Sequence, residues 1–316
     1  MEYRNLGNSG LKVSAIGLGT NTFSWVIDEP SSTAIVNQAI EMGINYIDTA
    51  DVYGKGGSEE FIGRALMGKR HQVILATKFG MKIGEGPNER GGSRYYIMKA
   101  IEASLRRLKT DYIDVYQIHQ FDPGTPIEET LRGLDDLVRS GKVRYIGTSN
   151  FSAWQICEAL FTAKMNNLIS FVSEQSLYNL MNRKIEAELV PLAVKYNIGI
   201  IPWGPLAGGF LTGKYQKGEK YPANYRLASG IAIYGDFLND VGFGKLAILE
   251  KFARERGHKV GELAIAWLLS KPYISTIIAG ARRAEQLTEH VAAGQWKLTA
   301  QEAAEVDAIS AGDKKD

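Results

Sequence analysis

Four ionisable side chains stand at or just beyond the ends of successive apolar runs. Asp48 closes residues 45–48, Tyr53 follows five positions later, Lys78 comes just past 73–77, and His119 just past 113–118. A phenol ordinarily holds its proton to about pH 10, so a tyrosine is a poor acid-base group unless a nearby cation favours the phenolate. Lys78 is the candidate cation. A carboxylate at Asp48 would keep that lysine protonated and fixed, and a neutral His119 could hydrogen-bond a carbonyl oxygen and orient it. Singly, each residue has a plainer reading: Asp48 as a helix cap, Tyr53 as packing, Lys78 as a surface pair, His119 as a satisfied strand-end histidine. Jointly they describe a proton donor and its electrostatic support, provided the strands that carry them are parallel and adjacent.

The rest of the chain supplies such strands. Candidate strands fall at 15–18, 45–48, 73–77, 113–118, 143–148, 171–173, 198–203 and 275–279, most of them continuous apolar runs of the kind buried on both faces. Helical spacing occupies 32–42, 58–66, 93–108, 126–140, 153–164, 184–196, 246–256 and 283–293. Eight such repeats predict an α/β fold, a (β/α)8 TIM barrel, with residues 11–14 returning on 2–5 as an N-terminal β-hairpin cap. Segments 81–92 and 205–242 exceed the repeat as long loops after strands three and seven, and 260–270 reads as an extra helix. A doubly wound sheet would carry G-x-G-x-x-G, whereas Gly17-Leu18-Gly19-Thr20-Asn21-Thr22 lacks the third glycine, and there is no Walker A pattern.

Composition narrows the partners. A formal net charge of +2 on 316 residues gives no electrostatic case for nucleic acid or an anionic membrane. The amino terminus lacks a secretory apolar core and no stretch approaches the roughly 18 apolar residues of a membrane span, so a cytoplasmic protein is expected. Cys157 is the only cysteine, which excludes an internal disulfide, and no zinc-ligand spacing accompanies it. With no linker composition anywhere, residues 1–316 are expected to form one domain; oligomeric state is left open.

The ordered motifs Ile47-Asp48-Thr49-Ala50-Asp51-Val52-Tyr53-Gly54, Ala76-Thr77-Lys78-Phe79-Gly80 and Asp111-Tyr112-Ile113-Asp114-Val115-Tyr116-Gln117-Ile118-His119 resemble the aldo-keto reductase superfamily. The likeness continues through Gly147-Thr148-Ser149-Asn150-Phe151, Glu174-Gln175-Ser176 and Pro202-Trp203-Gly204-Pro205-Leu206-Ala207-Gly208-Gly209, and so spans nearly the whole chain. It implies a catalytic tetrad of Asp48, Tyr53, Lys78 and His119, and an NADP(H) cofactor. Ser149, Asn150 and Gln175 would hold the nicotinamide carboxamide, Trp203 would stack on the ring, and Gly204, Pro205 and Leu206 would complete that wall. Many relatives have tyrosine in place of Trp203 and serine in place of Gly204. Near the C terminus Gly280 opens a motif in which Arg282 and Gln286 would take the 2′-phosphate, with Glu289 near the adenine and His290 a further cofactor contact; many relatives have arginine in place of Gln286 and asparagine in place of His290, and backbone amides at a helix start and a planar arginine suit phosphate.

The function expected is NADPH-dependent reduction of aldehydes or ketones to alcohols, with a small carbonyl or alcohol substrate and no metal. Substrate walls are expected from residues 21–25 and the two long loops, with Trp25, Tyr178 and Tyr234 as candidate aromatics. Two alternatives stand beside it. One is a regulatory module, since potassium-channel β subunits resemble this family; the other is a non-redox barrel enzyme, which a cofactor-dependent absorbance change would separate from the first two.

Overall fold

Eight parallel strands close on themselves in the order β10-β3-β4-β5-β6-β7-β8-β9. They are β3 (Ile16–Gly19), β4 (Tyr46–Asp48), β5 (Ile74–Phe79), β6 (Ile113–Ile118), β7 (Val143–Ser149), β8 (Ser173–Leu177), β9 (Gly199–Trp203) and β10 (Ile277–Gly280). The computed structural model describes residues 1–215, 217–218 and 237–311. Much of the long loop after the seventh barrel strand, including Tyr234, therefore lies outside the described residues. Among the described residues no helix is long and apolar enough to cross a membrane.

Apolar pattern explains most of these elements. All six residues of β6 are buried, as a strand with one face toward helices and the other toward the barrel axis requires. In α4 (Ile127–Arg139), Leu131, Leu134 and Leu137 recur at helical spacing and pack on the barrel wall. Other side chains set where helices begin: Ser93 accepts from the Tyr96 amide at α3 (Arg94–Leu108), and Asn239 from the Gly242 amide at α7 (Asp240–Arg254). The extra helix is α8 (Val260–Leu269).

The predicted hairpin is present as β1 (Tyr3–Asn5) and β2 (Lys12–Ser14), with Tyr3 opposite Ser14. Its Leu6 and Val13 are fully buried against Tyr46, Val115, Ile201 and Ile278 inside the barrel. Gly7 takes φ +54°, and a Cβ there would lie 2.1 Å from the Val172 carbonyl oxygen, so only glycine lets the turn press this close. The bottom of the barrel is thereby shut, leaving the C-terminal ends of the strands as the open face.

Three expectations need correction. The sixth barrel strand runs Ser173–Leu177, two residues later than its apolar prelude Phe171 and Val172 suggests, because polar Ser173, Glu174, Gln175 and Ser176 are all buried in the strand itself. The segment 184–196 is a 3-10 turn at Lys184–Glu186 followed by α6 (Leu189–Tyr196). Pro191 lies in the first turn of that helix, and its ring would clash with the carbonyl four residues back if the helix continued upstream. The chain also adds α10 (Ala300–Ser310), announced by the Thr299 and Glu302 capping box.

Candidate active site

Lys78 reaches its place because β4 and β5 pair in parallel, with Asp48 opposite Ala76. Its Nζ donates to Asp48 Oδ1 at 2.5 Å and to the Thr49 carbonyl at 3.0 Å, and the two side chains are 0% and 2% exposed. Burial alone would lower the lysine pKa, but the Asp48 carboxylate and the Tyr53 phenol beside it outweigh burial and hold it above the ordinary value. Asp48 Oδ2 in turn accepts from Gln117 Nε2 at 3.1 Å and from Gln175 Nε2 at 2.9 Å.

Tyr53 begins a short 3-10 turn in which Gly54, Lys55 and Gly56 all have positive φ. The Lys78 ammonium sits 5.1 Å from the tyrosine ring centroid, and the His119 ring stands edge-on at 5.7 Å and 80°. The loop after β3 rests on this turn: a Cβ on Gly57 would fall 2.0 Å from Ser24 Oγ, and one on Gly54 2.9 Å from it. His119 is fixed by its backbone amide, which donates to the Phe79 carbonyl at 2.8 Å. Burial, aided by the Lys78 charge, pushes its imidazole down to about 3. The ring is therefore neutral near pH 7 and has one N–H to donate; its Nδ1 is buried with no partner among the described residues.

A second set of hydrogen bonds ties this centre to the ends of β7, β8 and β9. Asn150, in the left-handed region at φ +59°, donates through Nδ2 to the His119 carbonyl (3.2 Å) and to Ser149 Oγ (3.0 Å), and accepts from Trp203 Nε1 at 3.0 Å. The Ser149 hydroxyl donates to the Gln175 carbonyl at 2.8 Å. Behind them Glu174 accepts from the Phe151 amide and the Ser176 hydroxyl, and burial pushes its carboxyl up to about 7.

One cavity of about 710 Å³ touches Asp48, Tyr53 and His119, then Ser149, Asn150, Gln175 and Trp203 to Leu206, then Gly280, Arg282, Gln286 and His290. Lys78 lies behind that wall. Glu289 is exposed on α9 (Ala284–Ala293) and does not line the cavity. Gln286 accepts from the Arg282 and Arg283 amides at 2.7 and 3.2 Å, and His290 Nε2 lies 3.4 Å from the Gly280 carbonyl, so both brace the loop that precedes α9. Gln175 likewise spends its amide N–H on Asp48 rather than facing only the cavity. Tyr178 is fully buried, bonded to Glu186 and Tyr273, and forms no cavity wall; Trp25 is exposed on the loop above Tyr53 and does not line it either.

Several wall residues escaped the sequence reading. Thr20, Ile278 and Ala279 line the cavity and Gln117 braces Asp48 from within the barrel, whereas Asn21, Thr22, Gly208, Gly209 and Lys214, which also line it, fall in segments expected to form walls. Gln117 was findable: it stands two positions before His119 in the same strand run, hence on the same inward face.

This fold and this site define a barrel oxidoreductase of a known class. The model of the Aldo/keto reductase family matches residues 15–311, and the chain belongs to that family, which supports carbonyl reduction in general. Among its relatives are proteins named probable voltage-gated potassium channel subunit beta from Oryza sativa (39% identical) and Arabidopsis thaliana (40%), each aligned over 93% of this chain and 91% of the relative. An uncharacterized oxidoreductase, YrpG, of Bacillus subtilis is 38% identical over 94% of this chain and 92% of its own length.

Proposed function

We propose that this protein is an NADP(H)-dependent oxidoreductase that reduces aldehydes or ketones to alcohols, reversibly, with Tyr53 as the general acid. The observation that carries this is the fully buried Lys78–Asp48 pair set against Tyr53, on a cavity that also reaches Trp203 and Arg282. The residues present fit a dinucleotide: a single cavity meets the neutral His119 ring, a half-buried indole, left-handed glycines and an arginine before a helix start. A nicotinamide cofactor bound there supplies a hydride to the carbonyl carbon.

In this reading Ser149, Asn150 and Gln175 hold the carboxamide and Trp203 packs on the ring. The His119 N–H donates to the substrate carbonyl oxygen and orients it. As that oxygen gains charge, Tyr53 gives it the phenolic proton, and the Lys78 ammonium stabilises the phenolate until a solvent proton restores it. Arg282 pairs with the 2′-phosphate, which favours NADPH over NADH. The reading includes one barrel domain over residues 1–316, acting in the cytoplasm on small carbonyl or alcohol substrates.

A second reading, a cofactor-sensing channel partner, is favoured by the names of the two plant relatives. The intact tetrad favours the enzyme. A panel of aldehydes, ketones and sugars, followed by NADPH and NADH oxidation, tests the choice. Steady oxidation of NADPH with an aldehyde or ketone is the expected result; cofactor binding without turnover on any carbonyl would support the sensor.

A further inference from the structure

We propose that Gln117 is a positioning residue for this reaction: it is the standing donor to the Asp48 carboxylate, and it frees Gln175 to turn to the cofactor. The inference rests on the reading of Gln175 as a carboxamide contact.

A carboxylate as deeply buried as Asp48 needs donors on both oxygens. Oδ1 has the Lys78 ammonium, and Oδ2 has two amides, from Gln117 and Gln175. Those amides are differently placed. Gln175 lines the cavity and can meet a ligand. Gln117 is 0% exposed on β6, paired in register with Lys78 of β5 and Gly147 of β7, and does not touch the cavity.

The Gln117 amide can face only one way. Its Oε1 is buried with no partner among the described residues, yet turning the amide over would set that oxygen against Asp48 Oδ2, acceptor to acceptor. Gly147 makes room for it, since a Cβ there would lie 3.2 Å from Gln117 Cγ and 2.6 Å from Ser173 Oγ. An orphaned buried oxygen is destabilising in itself. What the glutamine contributes instead is one N–H to Asp48. When Gln175 leaves Oδ2 for the carboxamide, Gln117 remains, so cofactor binding does not strip a buried carboxylate of its donor.

Gln117→Met keeps the length and removes the donor. NADPH titration followed by protein fluorescence needs no carbonyl substrate, and the variant is expected to bind about ten- to a hundredfold more weakly than the parent. Its thermal midpoint should equal or exceed the parent's, because the orphaned oxygen is gone. A merely structural role would not produce the second signature: Gln175→Met should weaken NADPH binding less in the Gln117→Met background than in the parent, because there Gln175 can no longer leave Asp48 without loss. Gln117→Leu is read the same way should the methionine variant misfold. Equal NADPH affinity in parent and variant, with additive effects of the two substitutions, would overturn the proposal. A parent that binds NADPH but reduces no carbonyl would contradict the reading of the reaction and leave this comparison intact.

Discussion

At residue 119, burial and the Lys78 charge push the imidazole down to about 3, against an ordinary value of 6.5, and two consequences follow for pH. The unfolded chain takes up a proton between those values and the folded one does not, so His119 makes stability fall as pH drops from about 6.5 toward 3. Thermal midpoints across that window should show a shallower acid limb in His119→Gln than in the parent. In the proposed mechanism the neutral ring is a donor, so His119→Gln should retain more turnover than His119→Ala, with NADPH affinity nearly unchanged in both. Equal losses in the two variants would reassign the role. Residue types at strand ends made this group legible in the sequence: Asp48, Lys78 and His119 each stand at or just past the end of an apolar run. What the sequence did not disclose was connectivity. Gln117 and Gln175 lie 58 positions apart in the chain, and only closure of the barrel brings both amides to one carboxylate oxygen.

At the scale of elements, the Tyr53 turn and the loop above it form a clamp that depends on small side chains. A Cβ on Gly57 would meet Ser24 Oγ at 2.0 Å and Ser24 Cβ at 2.7 Å, so Gly57→Ala must move the loop, the turn, or both. The expected cost is about 1–3 kcal/mol together with reduced turnover. Ser24 itself sits at φ +65°, where glycine is at ease, so Ser24→Gly in the same chain should restore most of both losses. Melting and rate measurements on the single and double variants check this; no restoration would show that another contact is responsible. The elements read from sequence were those whose apolar pattern fixes them, such as β6 and α4. The pattern failed at β8, where buried polar residues fill the strand, and at 184–196, where Pro191 and the Arg183 pairs with Glu186 and Asp307 break one expected helix into a turn and a shorter helix.

For the whole molecule, a hairpin that closes the bottom of the barrel and eight strand ends that converge at the top bring residues from Gly19 to His290 onto one cavity. That continuity links cofactor choice to catalysis. Arg282→Ala should weaken NADPH binding about ten- to a hundredfold and NADH binding far less, because only NADPH presents a 2′-phosphate to the guanidinium; parallel titrations of the two cofactors decide it, and equal losses would contradict the assignment. The barrel, and the gathering of Asp48, Tyr53, Lys78 and His119 at one rim, were legible because eight similar repeats carry them. The end of the cavity beside α9 was less so, since Gln286 and His290 brace the loop before that helix while Glu289 stands clear of the cavity. The central claim concerns the proton, and its most direct measurement is the single-turnover rate of carbonyl reduction by Tyr53→Phe with saturating NADPH and an aldehyde the parent reduces well. The ring remains and only the hydroxyl is lost, so NADPH affinity should stay near the parent's while the rate falls by about 10²–10⁴-fold. A folded Tyr53→Phe protein that reduces the aldehyde at a rate near the parent's would show that the proton comes from another group.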